Sequence, residues 1–216
     1  MRPLLAAAGW LWATAAPAQQ ADLNSALARA QRAYDQMQTL RAEFTQTITN
    51  PMLGAPERSR GVLFLAPPDR FAMRFLDPEG DRIVADGRWL WLYTPSTVPD
   101  QVIRQPIPAS GTTTPNLFAQ FIDRPLERYQ ASYLGRQELG GEAVDVVRFV
   151  PRERDMPFRE AVLSLAVSDG WPRKLELAEP SGQRRELIFS KPAVNLQIAP
   201  EELSFTPPKG VRVVTP

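Results

Sequence analysis

The chain has 216 residues, with 25 basic and 24 acidic side chains. Nucleic acid is therefore not expected as a partner, because phosphate binding usually shows as a clustered basic excess. Cysteine and histidine are both absent, which excludes disulfides, thiolate nucleophiles, Ser-His-Asp triads and metal sites built on these residues. The length favours one domain, and we expect no cofactor.

The first eighteen residues have the pattern of a secretory signal peptide. Arg2 supplies a positive charge, and residues 4–15 form an apolar run that is too short to span a bilayer. The small residues Ala16 and Ala18 predict cleavage after Ala18. We expect residues 1–18 to direct export to a Gram-negative type of periplasm and residues 19–216 to form the mature domain. The alternative is a short buried helix.

An amphipathic helix is predicted over residues 22–40, with Asp22 as its N-cap. Its apolar residues recur at spacings of three and four, which places them in one stripe. The stripe consists of Leu23, Leu27, Ala30, Tyr34 and Met37.

The apolar period then changes to two, which is typical of half-buried strands. Short links that carry turn residues, such as Gly140-Gly141 and Asp169-Gly170, separate the runs. We predict an antiparallel meander of ten or eleven strands. The runs lie near 62–65, 71–76, 81–85, 88–93, 100–105, 130–134, 143–150, 160–168, 173–178, 184–190 and 203–214.

A proline-rich segment, residues 95–116, interrupts the meander and leads into a short helix. Thr114 is a plausible N-cap, and Pro115 suits the first helical position. The apolar stripe that follows includes Leu117, Phe118 and Phe121. A helix this short is marginal alone, so we expect it to dock on an apolar surface, as a lid would.

The Asp86-Gly87 pair predicts a tight hairpin turn within the sequence ADGRWLWLYTP. A two-residue turn pairs Ile83 with Leu90 and places both on one face of the sheet. Alternation along the strand then puts Leu92 on the same face. The aromatic residues of the strand are predicted on the opposite face; they are Trp89, Trp91 and Tyr93.

Four motifs in order resemble those of the LolA family of periplasmic lipoprotein carriers. ADGRWLWLYTP, residues 85–95, is similar to the family's Asp-Gly…Leu-Trp-x-Tyr-x-Pro signature, and Phe44-Thr45-Gln46 is similar to its FTQ. Residues 61–65, followed by Pro68 and Phe71, resemble its strand-and-turn motif, and FTPPKGV, residues 205–211, resembles its C-terminal motif. The resemblance spans about residues 22–214.

This resemblance implies an unclosed antiparallel β-barrel of about eleven strands with a lid of short α-helices. It implies a monomeric carrier without enzymatic activity. Such a carrier takes triacylated lipoproteins from an inner-membrane lipoprotein-releasing ABC transporter. It shields their acyl chains and delivers them to the outer membrane, where a LolB-like acceptor would receive them.

The residues expected to line the lipid cavity are apolar or aromatic and face the predicted concavity. The resemblance also places Phe71 on a family aromatic that is implicated in docking to the transporter. The alternative for each residue is plain core packing. The set comprises Tyr34, Met37, Leu63, Leu65, Phe71, Met73, Phe75, Ile83, Leu90, Leu92, Leu117, Phe118 and Phe121.

One departure concerns how the lid is held. The family commonly has an arginine before the turn proline, where this chain has Pro67, and proline has no donor. Arg70 lies three residues on and is a candidate substitute.

Three other interpretations remain open from the sequence. The chain could carry another lipid or glycolipid, or act as a lipid-sensing regulatory module. An enzyme would need paired carboxylates, as in glycosidases. The candidates sit near turns among arginines, which favours a solvated charged surface; they are Glu138, Glu142, Asp145, Glu153 and Asp155.

Overall fold

The computed structural model describes residues 16–52, 54–107, 116–153 and 156–216. Most of the predicted signal peptide, residues 1–15, lies outside these ranges, as do Thr114, Pro115 and Asp155. No helix within the described ranges combines the length and the apolar character needed to cross a bilayer.

Strands make up most of the described chain. The helices are α1 (Ala16–Asp35), α2 (Ala119–Ile122) and α3 (Pro125–Arg128), with a 3-10 helix at Pro200–Leu203. The first six strands are β1 (Leu40–Thr49), β2 (Glu57–Ala66), β3 (Arg70–Asp77), β4 (Glu79–Asp86), β5 (Trp89–Tyr93) and β6 (Gln101–Pro106). The others are β7 (Tyr129–Leu139), β8 (Glu142–Pro151), β9 (Glu160–Ala166), β10 (Pro172–Ala178), β11 (Arg184–Val194) and β12 (Arg212–Val214).

The described strands form one open sheet in the order β12-β6-β5-β4-β3-β2-β1-β11-β10-β9-β8-β7. The predicted unclosed sheet with few short helices is confirmed. Neighbouring strands are antiparallel, with one correction: β12 runs parallel to β6, so that Val213 pairs with Val102. The sheet begins and ends with different strands, β12 and β7, and the segment between β6 and β7 connects its two sides.

The predicted first helix has the wrong bounds. It begins at Ala16 and ends at Asp35, so Asp22 lies inside the helix instead of capping it. Leu40 begins β1, a strand missing from the prediction. Met37 and Leu40 continue the helical spacing by chance, whereas alternating burial from Leu40 through Phe44 has the period of a strand.

The predicted strand 203–214 is also wrong, because only Arg212–Val214 is a strand there.

The two faces of the sheet belong to separate apolar clusters. The inner cluster contains residues of α1, α2 and the face that these helices cover, including Leu27, Phe44 and Phe121. The outer cluster includes Phe64 and Trp91 and is covered by the C-terminal segment. The helices α1 and α2 thus cover the inner face, whereas the 3-10 helix contributes Leu203 to the outer cluster.

Helix α1 is fixed to the sheet by a buried ion pair. Asp145 on β8 is 2% exposed and accepts hydrogen bonds from the guanidinium of Arg29, from Tyr133 Oη at 2.8 Å and from Arg136 Nε at 3.0 Å. Burial, and then the bond to Asp145, raises the pKa of Tyr133 to about 12. The prediction that Asp145 belongs to a solvated surface is therefore wrong, because its charge is neutralised inside the protein.

The β4–β5 connection is longer than the predicted two-residue turn. Ala85 pairs with Leu90 and Ile83 with Leu92, so the register is displaced by two residues from the predicted one. Because side chains alternate with period two, this even displacement keeps every side chain on its predicted face. Ile83 and Leu90 pack against the inner cluster, and Trp91 belongs to the outer cluster.

Asp86 organises that connection. Its Oδ1 accepts hydrogen bonds from the backbone N–H groups of Arg88 (2.8 Å) and Trp89 (2.7 Å), and its Oδ2 accepts one from Trp91 Nε1 (2.8 Å). Burial alone would raise the pKa of Asp86, but the bonds from Trp91, Trp89 and Arg88 together lower it. The ionised form is therefore the one that the fold favours.

The depressed pKa predicts an acid-dependent loss of stability. The contribution of Asp86 is fully present above its unfolded pKa of about 3.9 and is lost as the pH falls through its folded pKa. Trp91→Phe should raise the pKa of Asp86 and shrink this pH-dependent part, measured by NMR titration of the carboxyl group and by denaturation at pH 2 to 5. Trp89→Phe is the control, because its bond to Asp86 comes from the backbone. Equal titration curves for both variants would contradict the assignment.

Gly61 belongs to the strand-and-turn motif described above and lies at a position where any side chain would clash. A Cβ at this position would meet the backbone carbonyl oxygen of Arg74 and lie 2.8 Å from Cε1 of Phe44. Phe44 in turn packs edge-on against Phe75, with ring centroids 5.2 Å apart. The glycine therefore gives room for an aromatic pair inside the sheet.

Gly61→Ala should destabilise the protein by about 2 kcal/mol, because the backbone carbonyl cannot move aside. Chemical denaturation measures this free energy of unfolding. Gly54→Ala is the control for adding a methyl group, since nothing lies within 4 Å of a Cβ there. Its positive φ adds only a small strain of about 1 kcal/mol. The packing argument fails if Gly61→Ala is as stable as the parent chain.

Candidate functional site

The structure brings twelve of the thirteen predicted site residues into the inner cluster or against it. Leu92 is outside the cluster and half-buried, although its pairing with Ile83 puts it on the same face. Phe71 is 6% exposed and therefore lies in the interior of this closed form. The cluster is the candidate lipid site, and the binding role of each residue stays a prediction.

The interior is filled by the segment that follows β6. We call residues 116–128 the lid segment. Phe118 contacts Phe189 edge-on, with centroids 4.9 Å apart, and Phe121 stacks on Tyr129 at 5.5 Å. Phe121 also lies 5.6 Å from both Phe149 and Phe158. The lid aromatics therefore occupy the space that a cargo would need.

Sequence reasoning missed six buried aromatics of this cluster, one of which, Trp171, lies in the β9–β10 connection. Phe149 and Phe189 sit at alternating positions of strands that were predicted, next to Val147 and Leu187, so the period-two pattern could have identified them. Phe44 was quoted only as a motif residue. Tyr129 and Phe158 lie at the start of a strand and in a connection, where no apolar period marks them.

Polar contacts hold the lid segment at both ends. Near its start, the buried Asn116 donates from Nδ2 to Tyr34 Oη at 2.9 Å and accepts bonds from the backbone of Phe118 and Ala119. Burial first, and then Asp123 with other carboxylates, raises the pKa of Tyr34 to about 12. The hydroxyl therefore stays neutral at physiological pH and links the lid to α1.

Near the other end, Arg128 braces the lid segment from within. Its Nη2 donates to the carbonyl oxygens of Ala119 (3.0 Å), Gln120 (2.9 Å) and Asp123 (2.6 Å), all of which belong to the same segment. These carbonyls lie within and directly after the four-residue helix α2, and the Ala119 carbonyl also accepts the backbone N–H of Asp123. One guanidinium therefore closes the end of the lid helix.

Arg70 was the candidate for an arginine that hydrogen-bonds to the lid, and Arg128 makes such bonds instead. Arg70 is exposed, and its side chain lies against Gly87, where an added Cβ would be 3.6 Å from its Cγ. Within the described residues, Arg128 of α3 bonds to carbonyls of the lid segment, and Arg152 donates from outside the segment to the Leu126 carbonyl oxygen at 3.3 Å.

Cavities flank the lid segment instead of lying beneath it. One of about 340 Å³ lies between α1 and the lid; its lining, mostly apolar, includes Leu27, Ile122 and Leu126. A second, of about 350 Å³, lies beside α3 and includes Tyr129 and Met156. Both reach residues of the inner cluster, so displacement of the lid would join them to the interior.

Residues 35–206 match the family described as outer membrane lipoprotein carrier protein LolA. The chain belongs to this family. It is 29% identical over 213 residues to an outer-membrane lipoprotein carrier protein of Chromobacterium violaceum, covering 99% of this chain and 97% of that one. A relative of the same description from Alkalilimnicola ehrlichii is 29% identical over 198 residues, covering 91% and 86%.

A solved structure supports the fold. An uncharacterized conserved protein from Thermus thermophilus superimposes with a TM-score of 0.57 at 14% identity, covering 90% of this chain and 99% of that one. At this identity the similarity concerns the fold alone. The LolA family assignment therefore rests on the sequence match, and the open sheet agrees with it.

Arg128→Met should loosen α2 within the lid segment without unfolding the protein. Losing the charge-assisted bonds should lower the free energy of local opening of α2 by about 2 kcal/mol, which corresponds to roughly thirty-fold more of its open form. Hydrogen exchange of the Ile122 and Asp123 amides, which bond to Phe118 and Ala119 within the lid, measures this directly.

Arg159→Met is the matched control. Arg159 donates from Nη2 to the carbonyl oxygen of Glu179 at 3.2 Å, far from the lid in sequence. We expect this variant to leave exchange of the lid amides unchanged. Equal exchange rates at Ile122 in both variants would show that Arg128 does not brace α2.

Proposed function

We propose that this protein is a periplasmic carrier that binds the acyl chains of lipoproteins in its inner cluster. The observation that carries the proposal is the apolar inner face, covered by a lid that, among the described residues, few polar contacts join to the rest of the protein. The relatives' shared description as outer-membrane lipoprotein carriers supports the cargo. No bond needs to be made or broken for such a transfer.

Binding would be an exchange of one apolar occupant for another. Withdrawing Phe118, Phe121 and Ile122, each 2% exposed or less, would cost about 2 kcal/mol per side chain. An acyl chain recovers about 0.8 kcal/mol per buried CH₂, so roughly eight buried CH₂ groups offset that cost. Lipoprotein acyl chains are longer than this, which leaves enough free energy for capture and still permits release.

The moving part is expected to be the lid segment, with α1 fixed. The backbone of α1 at Arg29 lies so close to the β9–β10 turn that a Cβ on Gly170 would approach the Arg29 carbonyl oxygen to 2.8 Å. The Arg29–Asp145 ion pair adds to this attachment. Lid movement would therefore open the side of the sheet between β6 and β7 while α1 stays in place.

The route of the cargo belongs to the same proposal. The predicted signal peptide supports a location in the periplasm. We infer that the carrier receives triacylated lipoproteins from an inner-membrane ABC transporter and delivers them to an outer-membrane acceptor of the LolB type. Because Phe71 is buried here, a docking role for it would require the lid to be displaced.

Native mass spectrometry of the protein isolated from the periplasm tests the cargo. A co-purifying triacylated lipoprotein is the expected result. A bare phospholipid or glycolipid as the bound species would instead favour a lipid carrier or a lipid sensor.

A crosslinked lid should abolish cargo binding. Gln31 on α1 accepts a hydrogen bond at 3.4 Å from the backbone N–H of Arg124 in the lid segment. The chain contains no cysteine, so Gln31→Cys/Arg124→Cys offers a unique pair for a short reducible thiol crosslinker. We expect binding of a fluorescent triacylated lipopeptide to fall at least ten-fold on crosslinking and to recover on reduction.

The two single-cysteine variants, treated with the same reagent, control for chemical modification. They should bind the lipopeptide as the parent chain does. Undiminished binding by the crosslinked double variant would overturn the lid mechanism, whereas absence of binding in the parent chain would overturn the function itself.

A further inference from the structure

A stacked group of arginine and tryptophan side chains lies at the start of β5. The guanidinium carbon of Arg104 is 4.2 Å from the ring centroid of Trp89 and 5.6 Å from that of Trp91. The guanidinium carbon of Arg88 is 5.4 Å from the Trp89 centroid. Trp89 is half-buried and Arg88 is exposed. We call Arg88, Trp89 and Arg104 the rim group.

The guanidinium N–H donors of the rim-group arginines are not paired with carboxylates of the described residues. Among the described residues, neither Arg88 nor Arg104 has a carboxylate within ion-pair distance, and the buried Nε of Arg104 has no hydrogen-bond acceptor. The nearest carboxylate in the sequence, Asp86, is occupied by N–H donors of Arg88, Trp89 and Trp91. Stacking on tryptophan leaves the in-plane guanidinium donors available for phosphate oxygens.

The rim group lies beside the end of β6. The backbone N–H of Ile107, directly after β6, donates to the carbonyl oxygen of Arg88 at 2.9 Å. Arg70 adds a third arginine nearby, because its side chain lies over the Gly87 turn. The group therefore lies at the end of β6 and on the outer face of the sheet, where Trp89 packs against the outer cluster.

We propose that the rim group docks the protein on the phosphate-bearing surface of an anionic lipid bilayer. A tryptophan at the water–lipid boundary places its ring among the headgroups, and arginines beside it bind lipid phosphates. The rim group lines neither of the two cavities beside the lid, and it lies next to a hairpin turn. This open location suits contact with a broad surface better than binding of a small enclosed ligand. Docking in this way needs no bound cargo.

Vesicle co-flotation tests the proposal with the exported protein, its N-terminus verified by mass spectrometry. Vesicles containing phosphatidylglycerol are compared with vesicles of phosphatidylcholine alone, at low salt. Arg88→Gln/Arg104→Gln should reduce the partition coefficient on anionic vesicles by on the order of twenty-fold. The single variant Arg88→Gln, at an exposed position, should give about a five-fold reduction and covers the case in which the double variant does not fold.

The matched control is Arg58→Gln/Arg184→Gln. Both arginines are exposed and lie on the central strands β2 and β11, at the ends of these strands that point away from the rim group, where Thr47 pairs with Arg58 and Thr49 with Arg184. This variant removes the same net charge and should still float with anionic vesicles.

Equal losses in the rim and control variants would overturn the proposal, since binding would then follow net charge alone. Equal flotation of the parent chain with both vesicle types would also overturn it. Neither result would bear on acyl-chain binding, which the lipopeptide assay measures separately.

Discussion

An open sheet has an apolar inner face that no second sheet covers, and most of this molecule is arranged around that fact. Twelve strands in one layer bury their inner side chains only where α1 and the lid segment lie against them. Burial of apolar surface is the main favourable term in folding, so the cover is required for stability. A cover that can be exchanged for another apolar body makes the same requirement the basis of transport.

The two parts of the cover are attached in different ways. Asp145 and the Arg29 guanidinium form an ion pair inside the protein, and breaking a buried pair of this kind costs about 3 kcal/mol or more. The lid depends instead on hydrogen bonds to backbone carbonyls and on aromatic contacts, which an acyl chain could replace. The fixed cover, α1, and the exchangeable cover, the lid segment, therefore lie side by side over the same interior.

Alternation and turn residues in the sequence predicted the sheet, its inner residues and the lid helix. The face of Leu90 was predicted correctly even though the turn length was wrong, because only an odd displacement moves a side chain to the other face. The helix was extended wrongly to Leu40, since spacing alone does not reveal where a backbone stops being helical. Arg128 could not have been assigned, because its acceptors are backbone carbonyl oxygens that come within reach of one side chain only once α2 has folded. Tertiary contacts of this kind leave no periodic trace in a sequence.

The edges of the sheet have a consequence for behaviour in a crowded compartment. A free strand edge is a template for pairing with another chain, which leads to aggregation. At one side, the three residues of β12 lie parallel on β6 and cover its edge. At the other side, β7 has a register irregularity between Tyr133 and Gly135, and such a bulge interrupts regular pairing. Both edges of the described sheet are thus less suited to pairing with another copy of the chain.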